Sequence, residues 1–234
     1  MNQTYLNPTP MLNYDAPAIQ ALIHTRNWET LDEYHKIEAA YNFVQNEVLF
    51  GYNRSDLLTA EDVLQDGYGQ CNTKATLLMA LLRALDIPCR LHCTEVSKYF
   101  QQGATNALIN ALAPETITHT WAEVLYNGQW LALEGVITDK AYVDGVKKRY
   151  PNVSGPFRRY AIAVPDLQTL DVSWRGESTF VQREALVKDY GTWDSPDVFF
   201  AVHPQTWSKL KNYAYVHLGR KMMNANVARM RRRG

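Results

Sequence analysis

The 234-residue sequence predicts a mixed helix–sheet protein. Three features carry that prediction: an almost wholly apolar helical stretch over 71–85, an Asn-Gly turn signal at 127–128, and an amphipathic run over 16–50. In that first run, Leu31, Tyr34, Ile37, Tyr41, Val44 and Val48 fall at helical spacing, so 16–50 reads as largely helical until Gly51 and Asn53 end it. Thr59-Ala60-Glu61-Asp62 has the form of a capping box, which predicts a short helix to about Gln65. Gly67-Tyr68-Gly69 breaks it. The helix from Cys71 to Leu85 has almost no polar face, which requires burial on most sides, and Asp86-Ile87-Pro88 stops it.

Cys89 to Val96 reads as a strand. Residues 98–118 are irregular, with one short helix around Asn106 to Leu112. His119–Tyr126 and Gln129–Val136 are rich in aromatic and β-branched residues, and Asn127-Gly128 between them is a hairpin signal. Further on, Phe157–Val164 and Thr169–Trp174 read as strands, and Phe180–Lys188 and Gln205 to about Met230 as helices. Ser195-Pro196-Asp197 opens another helix with proline in its first position.

The hydrophobic content of 46% suffices for one large domain over 1–234. Lysine plus arginine equals aspartate plus glutamate at 24 each, so net charge favours neither nucleic acid nor a membrane as partner. No run of about 18 apolar residues is present. Met1–Asp15 lacks the basic start and apolar run of a secretory signal, and three cysteines make no disulfide framework. The expected location is cytoplasmic.

Cys71 is the candidate nucleophile. A thiol attacks as thiolate, and a helix N-terminus or a nearby imidazole promotes that form. Cys71 opens the buried helix, and its backbone N–H is free to donate to a developing oxyanion. With a two-residue hairpin loop, Trp121 lies opposite Glu134 and His119 opposite Val136. His119 and Glu134 then share a face as diagonal neighbours, ~7–8 Å apart at the backbone. A loop of odd length would separate them. A carboxylate on one imidazole nitrogen fixes the tautomer and leaves the other for the thiol. Taken singly, His119 is a satisfied strand histidine and Glu134 a solvated carboxylate; order and placement together favour the catalytic reading. Cys89 and Cys93 read as buried structural cysteines. With His92 they lack a fourth zinc ligand at standard spacing, so neither metal nor cofactor is expected. Tyr68, Gln70 and Trp121 adjoin the thiol and base and are candidates for lining a substrate groove, although tryptophans such as Trp121 and Trp130 are more often core residues. Glu123 has no clear assignment.

Gly67-Tyr68-Gly69-Gln70-Cys71, followed by Ala75 through Arg90, resembles the nucleophile block of bacterial transglutaminase-like proteins. His119-Thr120-Trp121-Ala122-Glu123-Val124 resembles that family's H-x-W-x-E-V strand, and Trp130 through Glu134 its W-x-x-x-D strand. The resemblance extends upstream through Tyr41–Tyr52 and Thr59–Leu64 and covers about 37–139. It implies a papain-like α+β fold, with the Cys71 helix packed on an antiparallel sheet holding His119 and Glu134. In that frame 37–139 is the catalytic core, 16–50 an N-terminal helical segment and 141–234 a C-terminal elaboration. Glu134 stands where aspartate is usual, Asn72-Thr73-Lys74 replaces the residues common after the cysteine, and Asp86 replaces a common glycine. Gln65, six residues before Cys71, has the spacing of a papain-like oxyanion donor, although a plain solvated glutamine is the commoner reading.

The implied chemistry is acyl transfer through a Cys71 thioester on a peptide or carboxamide, resolved by water or by an amine acceptor. Peptidase or amidase activity is favoured over protein cross-linking. A catalytically inert binding module on the same fold is the alternative. A second rival is nucleic-acid binding through Arg220, Lys221, Arg229, Arg231, Arg232 and Arg233, against a plain solvated basic tail.

Overall fold

The computed structural model describes residues 3–105, 114–204 and 213–234. The helix expected at 106–112 lies outside the described residues, as does the start of the helix expected from 205.

The N-terminal run is two helices rather than one. Helix α1 (Pro17–Thr25) begins on proline and α2 (Glu33–Asn46) on Asp32, whose side chain caps His35 N. They are separated because Asn27 adopts a left-handed conformation between them. Ile37, Tyr41 and Val44 of α2 are buried, so the apolar stripe faces the core as its spacing requires. A short parallel pair follows, β1 (Leu49–Phe50) with β2 (Tyr68–Gly69), enclosing α3 (Ala60–Asp66). The capping box of α3 is formed: Thr59 accepts from Asp62 N, and Asp62 accepts from Thr59 N.

Helix α4 (Cys71–Ala84) is the centre of the fold, with every residue from Asn72 to Arg83 buried. It packs on a curled antiparallel sheet of order β5-β4-β3-β8, formed by β3 (Cys89–Ser97), β4 (Thr116–Tyr126), β5 (Gln129–Ala132) and β8 (Leu186–Trp193). Arg83 ties remote segments to this helix: its guanidinium donates to the carbonyls of Asn7 (2.6 Å), Cys89 (3.1 Å) and Asp194.

Helix α5 (Lys140–Arg149), capped by Asp139, follows the sheet. A small hairpin, β6 (Phe157–Arg159) with β7 (Ile162–Val164), comes next. Pro196 starts α6 (Pro196–Val202), as expected. A π-helical turn at Tyr215–Gly219 leads into α7 (Arg220–Arg231), which packs on α5.

Several expectations need correction. The strand after Asn127-Gly128 stops at Ala132, because Thr179 takes the next hydrogen bonds and Glu134–Ile137 turns into a 3-10 helix. Residues 180–188 are not helical. They contribute a 3-10 turn and then β8, whose pairing with β3 overrides local helix propensity. Thr169–Trp174 forms no strand.

Burial gives one quantitative check. Leu78 of α4 is fully buried whereas Leu57 is 56% exposed. Leu78→Ala is expected to cost ~3 kcal/mol of unfolding free energy in urea titration. Leu57→Ala should stay within ~0.5 kcal/mol.

Candidate active site

Two glycines place Cys71. Gly67 caps α3 in a left-handed conformation (φ 68°) that favours glycine. At Gly69 an added Cβ would lie 2.7 Å from Thr73 Oγ1 and 2.8 Å from Lys74 Cγ, so the chain can pass over the helix start only as glycine.

The turn is held by a web around Asn53, which is fully buried. Asn53 Nδ2 donates to Asp66 and to Tyr68 O, both at 2.9 Å, and its Oδ1 accepts from Thr73 Oγ1 at 2.6 Å. Asn53 N donates to Gln70 Oε1 at 2.7 Å, and Gln70 Nε2 donates to Asp56. Gln70 is therefore the residue that caps α4 and locks the turn.

Cys71 is a partly exposed free thiol, whereas Cys89 and Cys93 are buried in the core. Its Sγ lies 3.5 Å from Asn72 Oδ1, which also accepts from Thr120 Oγ1 at 3.0 Å. The start of α4 is thereby tied to β4 beside His119.

His119 pairs with Thr94 in the ladder and is fully buried. Its Nε2 donates to Glu134 Oε1 at 2.7 Å. Its Nδ1 has no hydrogen-bond partner among the described residues. Burial by itself pulls the imidazole pKa down; the interactions with the adjoining Cys71 and with Glu134 outweigh it and raise the value to about 9.

Glu134 meets His119 by a route other than the one read from the hairpin. Ladder parity does not place it, since Glu134 opens the 3-10 turn beyond the end of β5. Its Oε2 accepts from Val181 N (2.8 Å) and Gln182 N (3.2 Å), while Glu134 N donates to Thr179 O. Three donors thus hold a carboxylate that is 1% exposed. The sequence reads 180–188 as a helix and gives no sign that 181–182 would hold a carboxylate.

The other candidate residues have different surroundings. Gln65 is exposed on α3. Tyr68 is half-buried beneath α7, and its Oη accepts from Arg220 Nη1 at 3.0 Å. Trp121 is buried, its ring 5.5 Å from that of His119 and stacked at 4.3 Å on His92, so it packs behind the imidazole. Glu123 binds Arg90 and His92, and His92 also contacts Asp189. Among the described residues no three histidine, cysteine or acidic side chains group as metal ligands.

Two tyrosines not singled out in the sequence adjoin the thiol. The Tyr52 hydroxyl is buried without a partner among the described residues. Burial pushes that phenol's pKa well above its ordinary value, with Tyr215 and the charge of Cys71 adding to the shift. Tyr215 likewise feels Cys71 and donates to Asn53 O at 3.0 Å. Asn224 of α7 holds the Tyr52 backbone in two hydrogen bonds.

Residues 25–135 match the transglutaminase-like superfamily, and they span the cysteine block, His119 and Glu134. Residues 25–135 are thus the transglutaminase-like part of the chain, a little under half of its length, and the described residues have an α+β fold. Among solved structures it is similar to a crystal structure from Cytophaga hutchinsonii described as a "putative cysteine protease", with 17% identity and a TM-score of 0.46. That similarity covers 82% of this chain and 47% of the other, so the chain spans about half of that protein. No curated protein sequence matches this chain.

One turn beyond Cys71, Lys74 is fully buried, and among the described residues its ammonium donates to the carbonyls of Gln45 (3.2 Å) and Ile137 (3.1 Å). Burial lowers its pKa to about 7, with Asp139 opposing and Arg231 reinforcing the shift. Between about 7 and the ordinary 10.5 the unfolded chain binds more protons there, so this lysine makes stability rise with pH. His119 does the reverse: its contribution is full below 6.5 and is lost as pH climbs to about 9. The two oppose each other between pH ~7 and ~9, where unfolding free energy should be nearly flat. In Lys74→Met, urea titrations across that window should show stability falling as pH rises.

Proposed function

We propose that the chain is a transglutaminase-like cysteine enzyme that cleaves or transfers the acyl group of a peptide or carboxamide substrate. The observation that supports this best is the buried His119, with one ring nitrogen on Glu134 and the other unpaired on the side of a partly exposed thiol. An imidazole held largely protonated beside Cys71 favours the thiolate, and the α4 N-terminus adds a positive potential.

In this reading the Cys71 thiolate attacks the substrate carbonyl. The tetrahedral oxyanion is met by the Cys71 N–H at the first turn of α4 and by the otherwise unpartnered Tyr52 hydroxyl. As the intermediate collapses, the C–N bond breaks and His119 gives its Nδ1 proton to the departing amine. A thioester on Cys71 remains. Neutral His119 then takes a proton from water as the water attacks, and the carboxylic acid and free thiolate are regenerated. Glu134 holds the ring orientation and the imidazolium charge throughout. A partly solvent-exposed Cys71 supports hydrolysis over transfer to an amine, because water has access to the thioester.

Thiol reactivity tests the proposal without knowledge of the natural substrate. At pH ~6, iodoacetamide should label Cys71 stoichiometrically while Cys89 and Cys93 stay unmodified, and Glu134→Gln should slow that labelling severely. Equal sluggishness of all three thiols would instead favour an inert binding module. On a peptide-amide library, Cys71→Ala should abolish turnover with the fold intact by circular dichroism. Tyr52→Phe should lower kcat about 100-fold with little change in KM. Full turnover by Cys71→Ala would overturn the mechanism.

A further inference from the structure

A second site lies between α5, α7 and the β6–β7 hairpin. It is a cavity of about 120 Å³ whose lining includes Arg149, Arg229, Arg233, Asn226, Tyr160 and Gly103. No carboxylate lines it among the described residues. Neighbouring cations have their charges matched: Arg231 binds Asp139 at 2.6 Å, and Arg158 binds Glu184 at 3.2 Å. Three arginines on one cavity wall make a positive patch, which an anionic ligand would neutralise.

The cavity wall has an unusual backbone. The hairpin turns through Tyr160 (φ 55°) and Ala161 (φ 56°), both left-handed. A two-residue turn of this type normally uses Asn-Gly, and a bulky residue there is strained. Surrounding contacts impose it: Tyr160 N donates to Gln102 O, Ala161 N to Phe100 O, and Tyr142 Oη to Tyr160 O. The turn sets the Tyr160 ring against Gly103, where an added Cβ would come within 2.5 Å of the ring. Arg149 Nε in turn donates to Tyr160 Oη at 3.1 Å, which aims its guanidinium along the cavity rim. Strain held at a side chain that positions an arginine is the pattern of a ligand clamp.

We propose that this cavity binds a single phosphoryl dianion, either free phosphate or the phosphate of a small monoester. Guanidinium forks match phosphate oxygens in two-point contacts, and Asn226 and Tyr160 add neutral partners. The volume suits one phosphoryl group. An extended polyanion fits less well, because the basic residues at the chain's end are not one stripe. Arg220 is engaged by Tyr68 and Arg231 by Asp139, while Arg229 and Arg233 line the cavity. The bound group bridges α5 to α7, the helix whose Asn224 holds Tyr52. The site stands whether or not Cys71 is catalytic.

Calorimetric titration of the full chain with inorganic phosphate at constant ionic strength tests this. One site with a dissociation constant below ~1 mM is expected, together with a thermal midpoint several degrees higher in ~10 mM phosphate than in sodium chloride of equal ionic strength. Glycerol 1-phosphate forms the second arm, and the tighter of the two identifies the source of the phosphoryl group. Arg149→Gln combined with Arg229→Gln should weaken binding at least ~10-fold; both side chains are exposed, so the fold is kept, and Arg158→Gln should leave binding unchanged. The proposal is overturned by absence of saturable binding up to ~10 mM, by unchanged affinity in the double variant, or by an oligonucleotide without terminal phosphate binding more tightly than either small anion with a steep salt dependence.

Discussion

The ion pair of His119 with Glu134 is the constraint to which the rest of the candidate site is fitted. Both side chains are almost wholly removed from water, and charges so placed are tolerated only when paired and hydrogen-bonded. Glu134 uses one oxygen for the imidazole and the other for two backbone N–H groups of the 181–182 segment. The imidazole has a single polar contact on that side and the thiol on the other. Segments from three parts of the chain must therefore be in place before the pair can be buried, and this links the C-terminal half of the chain to the family core.

A related coupling runs through the helix that carries the thiol. Lys74 lies one turn below Cys71 and donates to carbonyls of α2 and of the 3-10 turn that Glu134 opens. Asp139, which caps α5, draws Arg231 of α7 into the same neighbourhood, and Arg231 also binds Phe50 O in the strand leading to Tyr52. Burial opposes the charge on Asp139, but hydrogen bonds from Arg231 and Phe50 N hold its carboxyl below the usual range. The C-terminal helix is thus fastened to the strand that presents the Tyr52 hydroxyl. The arginine cavity sits at the other side of this helix, so an anion bound there would reinforce the same fastening.

Much of the site was legible because it is encoded locally. The glycines before Cys71 are demanded by a left-handed cap and a close backbone approach, and the helix after it announces burial by its lack of polar residues. The Asn127-Gly128 turn forms with the expected pairing of Tyr126 and Gln129. Parity reasoning brought Glu134 to the right partner for the wrong reason. The strand ends before Glu134, and an incoming segment rather than the ladder determines where the carboxylate points.

By itself, the sequence determined the thiol at the start of a buried helix and the hairpin strand that carries the imidazole. Each follows from local propensity, turn chemistry and spacing along one element. Only the tertiary structure decided how the carboxylate is held, that the Tyr52 hydroxyl is buried without a partner among the described residues, and that 186–193 is a strand. It also decided that three C-terminal-half arginines converge on one cavity. Those features arise from contacts between residues up to 172 positions apart, as between Tyr52 and Asn224, and no local pattern records which distant group satisfies a buried donor or charge.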